Sequence, residues 1–334
     1  MTARSLLLVT PRFHGYWNSI ADAAERRGYA VRTHLYDDHP TVTDKVRVKA
    51  AEALGRMPGP TPLALGPDLT GRAVDALREG DPDVVLVVKG DDLGAAFWET
   101  LSAMPARRVM WLYDELRRTD FVDGSLESMD AVASYSPLDV ATFIGMGLRA
   151  VHVPLAHDQR VRFVPRPSDE VTFVGARYPR REELLTALAE LDVPVRAHGR
   201  DWSTHPVDRL RTWRLTAPAV ESGRDLDRTD AYGVMAGSVA TLNVHGDQDG
   251  FTMRTFEASG IGALQLVDRE DVADLYEPGT EVLTFDGADE AAEHVQRARR
   301  DPAWAAGIRE AAQKRTLAEH TFDHRVAALE ELWG

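Results

Sequence analysis

The stretch Ser238-Val239-Ala240-Thr241-Leu242-Asn243-Val244-His245-Gly246-Asp247-Gln248-Asp249-Gly250-Phe251-Thr252-Met253-Arg254-Thr255-Phe256-Glu257-Ala258-Ser259-Gly260-Ile261-Gly262-Ala263-Leu264-Gln265-Leu266-Val267 decides the fold. Ser238 to Val244 is an apolar run with the length of a buried strand. A polar loop with two glycines follows. Phe251 to Ser259 then reads as a helix, ended near Gly260-Ile261-Gly262. Ala263 to Val267 is a second strand. A strand–loop–helix–strand unit is the building block of a parallel sheet. Backbone N–H groups at the start of its helix are unpaired and sit at the positive end of the helix dipole, so the place suits a phosphate. Arg254 and Glu257 lie three apart, on one helical face, where a plain surface ion pair is the bland alternative to a ligand site.

The same alternation extends outward in both directions. In the first half, strands are predicted at Ser5–Thr10, Tyr29–Tyr36, Asp83–Val88, Arg108–Tyr113, Ala131–Tyr135 and Ala150–Val153. Helices are predicted at Trp17–Arg27, Asp44–Arg56, Thr70–Glu79, Ala95–Ala103 and Pro137–Met146, with a break at Met57-Pro58-Gly59-Pro60-Thr61-Pro62. Residues 159–169, polar and with two prolines, are predicted to be a linker. A second series has strands at Glu170–Val174, Val193–His198 and Glu281–Phe285 besides those of the opening stretch, and helices at Arg180–Leu191, Ala288–Arg299, Ala303–Ala318 and His324–Trp333. Trp213 to Thr229 gives no clear pattern. The expected layout is α/β: a Rossmann-like domain over 1–158, the linker, a second Rossmann-like domain over 170–320, and a C-terminal helix over 321–334 that packs back on the first domain. In open parallel sheets ligands bind at the carboxyl ends of the strands, so two such domains are expected to face each other across a cleft that holds the site.

Composition narrows the function. The 334 residues carry a formal net charge of −14, which disfavours nucleic acid and anionic membrane as partners. No cysteine is present, so disulfides, thiolate catalysis and cysteine-held metals are excluded. No apolar run is long enough to span a bilayer, and the start lacks a signal-peptide pattern, so a cytoplasmic soluble protein is expected. The first strand–helix turn lacks GxGxxG, which counts against a dinucleotide-dependent oxidoreductase.

The residues Asn243, Gly250-Phe251-Thr252-Met253-Arg254-Thr255-Phe256-Glu257-Ala258 and Gly262 resemble the donor-site signature of GT-B glycosyltransferases, more narrowly the CgeB-like (spore-maturation-protein) branch of the group 1 glycosyltransferases. Phe173-Val174-Gly175 with Arg180-Arg181, His198-Gly199-Arg200-Asp201-Trp202, and Pro154-Leu155-Ala156-His157-Asp158 agree with it. The resemblance is firmest over Glu170–Trp333. It implies a nucleotide-diphosphate sugar as co-substrate, UDP-, GDP- or TDP-linked, and no separate cofactor. Glu257 would accept the ribose hydroxyls. Thr252, Met253 and Arg254 would surround the diphosphate and offset charge on the leaving group. Gly250 would let the backbone come close, and Gly175 and Arg180 would bound the phosphates from the other side. His198, Gly199 and Trp202 would lie near the base, and Asn243, His245 and Phe251 complete the donor set. Many retaining relatives carry a glutamate seven residues before the ribose-binding one; here that position is Gly250.

In the first domain, His14 follows the first strand, where inverting members of that fold often place a histidine. Its pKa class suits a general base toward an acceptor hydroxyl, with Asp114 to orient it; a loop histidine without a role is the alternative. Asp247-Gln248-Asp249 and Asp225-Leu226-Asp227 match the DxD pattern of metal-dependent transferases. With 53 acidic residues such matches arise by chance, and no metal site is expected. The predicted activity is therefore metal-independent glycosyl transfer to a small-molecule, glycan or protein acceptor. A non-catalytic nucleotide-sugar-binding protein, or an epimerase or hydrolase of the same fold, is the alternative. Nothing in the sequence sets the oligomeric state.

Overall fold

The computed structural model describes residues 3–37, 68–213 and 216–334. The predicted helix Asp44–Arg56 and the break at Met57–Pro62 lie outside the described residues. The chain divides into two compact units, residues 1–153 with 326–334, and residues 154–325.

Unit 1 is a six-stranded parallel sheet built from β1 (Ser5–Thr10), β2 (Ala30–Leu35), β3 (Val84–Val88), β4 (Arg107–Leu112), β5 (Ala131–Ser134) and β6 (Ala150–His152), in the order β2-β1-β3-β4-β5-β6. Its helices are α1 (Tyr16–Arg26), α2 (Leu69–Arg78), α3 (Ala95–Ser102) and α4 (Pro137–Gly145). A strand covered on both faces needs apolar side chains on both, and Val84 to Val88 are all buried. Caps set the helix starts: Asp68 accepts from Gly71 N, and Ser136 accepts from Asp139 N with Pro137 behind it. The segment 326–334 is bound into this unit by specific bonds. Trp333 Nε1 donates to Tyr29 Oη at 2.9 Å, Tyr29 Oη donates to Glu330 Oε1 at 2.9 Å, and Arg149 donates to the carbonyls of Glu331 and Leu332.

Unit 2 contains β7 (Val171–Val174), β8 (Val195–His198), β9 (Glu221–Gly223), β10 (Ala240–Asn243), β11 (Gln265–Val267) and β12 (Leu283–Thr284), all parallel, in the order β12-β11-β10-β7-β8-β9. Its helices are α5 (Pro179–Glu190), α6 (Pro206–Thr212), α7 (Arg228–Gly237), α8 (Met253–Gly260), α9 (Ala288–Arg300) and α10 (Pro302–Glu319), followed by α11 (Phe322–Trp333), whose first residues belong here. The alternation read from the sequence is present, with element ends shifted by at most two residues. The unreadable stretch 213–229 holds β9, and α6 and α7 flank it. The α7 start does carry a cap, Asp227 accepting from Asp230 N at 2.8 Å, but Gly233 and Gly237 dilute its helical pattern.

Those two glycines also meet the segment 159–169, expected from the sequence to be the linker. The segment is packed into unit 2: Arg166 N donates to Gly233 O at 2.8 Å and Ser168 N to Gly237 O at 3.0 Å. A Cβ at Gly237 would stand 2.0 Å from Arg166 O, so only glycine permits the two backbones to meet. Gly307, inside α10, has open space where its Cβ would be. Gly237→Ala is therefore expected to destabilise by ~1–3 kcal/mol through overpacking, whereas Gly307→Ala should stabilise by ~0.5–1 kcal/mol through helix propensity. Denaturant unfolding of both variants checks this; a neutral Gly237→Ala would refute the tight contact.

Candidate functional site

In unit 2 the strand order reverses between β7 and β10, and ligands of such sheets bind at the carboxyl ends beside that reversal. Gly175 follows β7, and Val244-His245 follow β10. One buried side chain joins the two loops. Arg181, on the first turn of α5, donates from Nε to Val244 O at 2.9 Å and from Nη1 to Ala176 O at 3.2 Å. Its guanidinium also lies over the rings of Phe173 and Tyr178. Burial pushes its pKa down from the usual arginine range.

The loop between β10 and α8 is held by a second arginine. Arg269 Nη1 donates to Gln248 O and Gly250 O, Nη2 donates to Asp249 O, and the guanidinium stacks 4.2 Å over Phe251. Three successive carbonyls on one guanidinium fix the loop's path into α8. Under the loop runs a buried polar network. Asn243 Nδ2 donates to Thr255 Oγ1 at 2.6 Å and to Gln265 Oε1 at 3.1 Å, and Gln265 Nε2 donates to Ser259 Oγ at 2.8 Å. His245 is buried with Nδ1 2.9 Å from Asp268 Oδ1, and burial lowers its pKa against the opposing pull of that carboxylate. Arg180, largely exposed, pairs with Asp268 Oδ2 at 3.2 Å. Asn243 and His245 thus support the loop from beneath.

Arg254 and Glu257 form the i,i+3 pair expected of one helical face, but inside the unit. Arg254 Nη1 donates to Glu257 Oε2 at 2.7 Å, and Tyr232 Oη donates to Glu257 Oε1 at 3.0 Å. The Glu257 side chain is 1% exposed and that of Arg254 is 24%, so the guanidinium forms the outer edge of the pair. Behind Tyr232 lies His157, whose ring centroid is 5.8 Å from the tyrosine's and whose ring fills the space a Cβ at Gly260 would need. Thr252 is the N-cap position of α8, Met253 is buried and Phe251 half-buried.

The sheet's other side is tighter than the sequence suggested. A Cβ at Gly199 would sit 2.4 Å from Gly175 O, so that glycine is demanded by the approach of two backbones. Trp202 is a core residue: it is fully buried, and its indole N–H donates to Gly175 O at 3.0 Å. It shapes the loop and presents no ring to a ligand. His198 is buried too. Neither ring nitrogen has a hydrogen-bond partner, and burial lowers its pKa.

In unit 1 the order reverses between β1 and β3. The loops after those strands carry His14 and Lys89, both in the left-handed region, with φ of 46° and 63°. Such strain in non-glycine residues persists where surrounding structure imposes it, often at functional positions. His14 is exposed, 4.7 Å from the exposed ring of Phe13. Asp114 does not orient it. The carboxylate of Asp114 pairs instead with Lys89 Nζ at 3.4 Å, because Lys89, which also bonds Asp91 Oδ2 at 2.8 Å, draws both acids. Burial works against the Lys89 ammonium, but these two acids hold its pKa above the usual value. Lys89 and Arg269 are not singled out by the sequence, and Arg181 is quoted there beside Arg180 without a role of its own. A polar residue directly after a β-branched strand was the available signal for Lys89; the two arginines act through carbonyls and leave no spacing pattern.

The Glycosyl transferase-like family model matches residues 180–331. Among solved structures, sucrose-phosphate synthase from Thermosynechococcus elongatus superposes with a TM-score of 0.66 at 14% identity, over 99% of this chain and 98% of that one. Anabaena HepE in complex with UDP-glucose gives 0.64 at 15% identity, over 98% and 99%. The fold is GT-B. The DNA-modifying enzyme β-glucosyltransferase, at 0.61 and 11% identity over 98% and 99%, shares this GT-B fold. No curated protein matches the sequence. Among the described residues, no helix is long and apolar enough to cross a membrane.

Two buried histidines beside this site generate a pH prediction. Burial pushes the pKa of His157 and of His320 down to about 4, and Arg325 beside His320 adds to its shift. An unfolded histidine titrates near ~6.5. Between these values the unfolded chain binds protons that the native state refuses, so stability is complete above pH ~6.5 and falls as pH drops toward ~4. At about pH 5 the loss should be on the order of 2 kcal/mol per histidine. Denaturation at pH 7 and about pH 5 tests this, with His157→Gln reducing the slope; equal stability at both would contradict it.

Proposed function

We propose that this protein is a glycosyltransferase that binds a nucleoside-diphosphate sugar on unit 2 and transfers the sugar to an acceptor nucleophile, without a metal. One observation carries the reading. The loop that leaves β10 at the point where the strand order reverses opens directly into α8, which bears Arg254 and Glu257. The GT-B fold, the family match over 180–331 and similar structures solved with UDP-glucose support it. The narrower kinship proposed is with the CgeB-like branch, and the proposed location is cytoplasmic.

On donor binding, Arg254 turns from Glu257 to the diphosphate, and its charge, with the unpaired N–H groups opening α8 at Thr252 and Met253, stabilises the leaving group. Glu257 then offers its released oxygen to the ribose hydroxyls while Tyr232 holds the other. Gly175, Arg180 and the loop clamped by Arg269 border the phosphates. His14 deprotonates the acceptor.

A thermal-shift screen against UDP, GDP, TDP and CDP tests the donor half. A nucleotide at a hundredfold its dissociation constant should stabilise by ~2.7 kcal/mol. Absence of a response to all four would sink the proposal. Glu257→Gln and Arg269→Ala should each weaken that binding by about tenfold or more. His14→Ala should leave nucleotide binding intact and lower transfer by about 100-fold or more; undiminished transfer removes His14 from the mechanism. Free sugar released at the full rate without any acceptor would indicate hydrolysis.

A further inference from the structure

The strands of unit 2 are parallel, so their amino ends form the edge opposite the loops described above. On that edge, beside Ser168 before β7 and Ser238-Val239 before β10, is a pocket of about 380 Å³. Its other wall is the joint between α9 and α10, with Arg299, Pro302 and Arg309. Both arginines are unusual in this acidic chain. Arg309 is half-buried, and its Nη2 donates to Ser238 O at 2.8 Å and Val239 O at 2.7 Å. Arg299 donates through Nη2 to Asp169 O at 2.7 Å. Among the described residues, Nε and Nη1 of both have no protein acceptor, and neither guanidinium has a carboxylate within ion-pair distance. Burial alone moves the pKa of Arg309, downward, with no acid to oppose it.

A half-buried cation normally has a counter-charge, because removing it from water is unfavourable. Here the half-buried Arg309 shares one pocket with the exposed Arg299, and the two keep four of their six nitrogens available. Two uncompensated guanidinium charges match a dianion, and their planar forks match phosphate oxygens. A monocarboxylate would leave one charge unmatched. The remaining lining, Val239, Ala298, Ala305 and Ala306, is apolar, and the volume exceeds that of a bare phosphate ion. We infer that this pocket binds a small phosphomonoester, its phosphate held between Arg299 and Arg309 and its organic part against the alanines. Such a ligand would tie the α9–α10 joint to the start of β10, on the opposite edge of the sheet from the proposed donor site.

Calorimetric titration at constant ionic strength, with glycerol phosphate, inorganic phosphate and acetate as probes, tests this. The wild-type protein should bind glycerol phosphate more tightly than inorganic phosphate, and acetate should not compete. Arg309→Gln and Arg299→Gln should each weaken binding by about tenfold or more, and Glu257→Gln should leave it unchanged. Arg309 also holds two backbone carbonyls, so its loss can disturb the fold; Arg299, exposed and with one carbonyl bond, gives the cleaner variant. Wild-type affinity in Arg299→Gln, equal binding of acetate, no binding of glycerol phosphate, or loss of binding in Glu257→Gln would each overturn the inference. Because Glu257→Gln separates the two sites, failure here leaves the proposed transferase reading untouched.

Discussion

The carboxyl edge of the second sheet depends on how Arg181 spends its hydrogen bonds. Where the strand order of a parallel sheet reverses, the two loops that leave the central strands diverge, and nothing in the sheet itself fixes the gap between them. Arg181 fixes it by donating to Ala176 O on one side and Val244 O on the other. A lysine could not do this, since its single nitrogen cannot reach two carbonyls from a planar fork while lying flat on Phe173 and Tyr178. The desolvated charge is tolerable because Nε and Nη1 donate to carbonyls and aromatic faces cover it.

The neighbouring loop follows the same logic. Arg269 gathers three carbonyls, and the network of Asn243, Thr255, Gln265 and Ser259 joins β10, α8 and β11 beneath. Buried polar networks of this kind rigidify when every member is satisfied. Above this network the Arg254–Glu257 ion pair places its guanidinium at the solvent edge.

Much of this was legible in the sequence. Strands buried on both faces announce themselves as continuous apolar runs, which is why Leu6–Val9, Val84–Val88 and Ala240–Asn243 were located within a residue or two. The helix α7 was not, because Gly233 and Gly237 serve a backbone contact with the 164–168 segment and erase the helical signal. Asn243, His245 and Trp202, expected at the donor site, carry polar atoms that face inward and support the loops after β7 and β10. Arg180 was singled out and Arg181 was not, although one step around a helix separates exposed from buried. Lys89 was overlooked because left-handed backbone leaves no trace in residue identity outside glycine and asparagine.

The helix α11 has one further consequence. Phe322 to Arg325 belong to unit 2, and Val326 onward belong to unit 1, where Trp333, Glu330 and the last carbonyls bond to Tyr29, Arg27, Arg149 and Arg4. During synthesis on a ribosome, unit 1 emerges first yet lacks this piece until all of residues 154–325 have followed. Domains usually complete in the order in which they are made. Here the order is inverted: the second sheet can close while the first still lacks the segment that covers Tyr29.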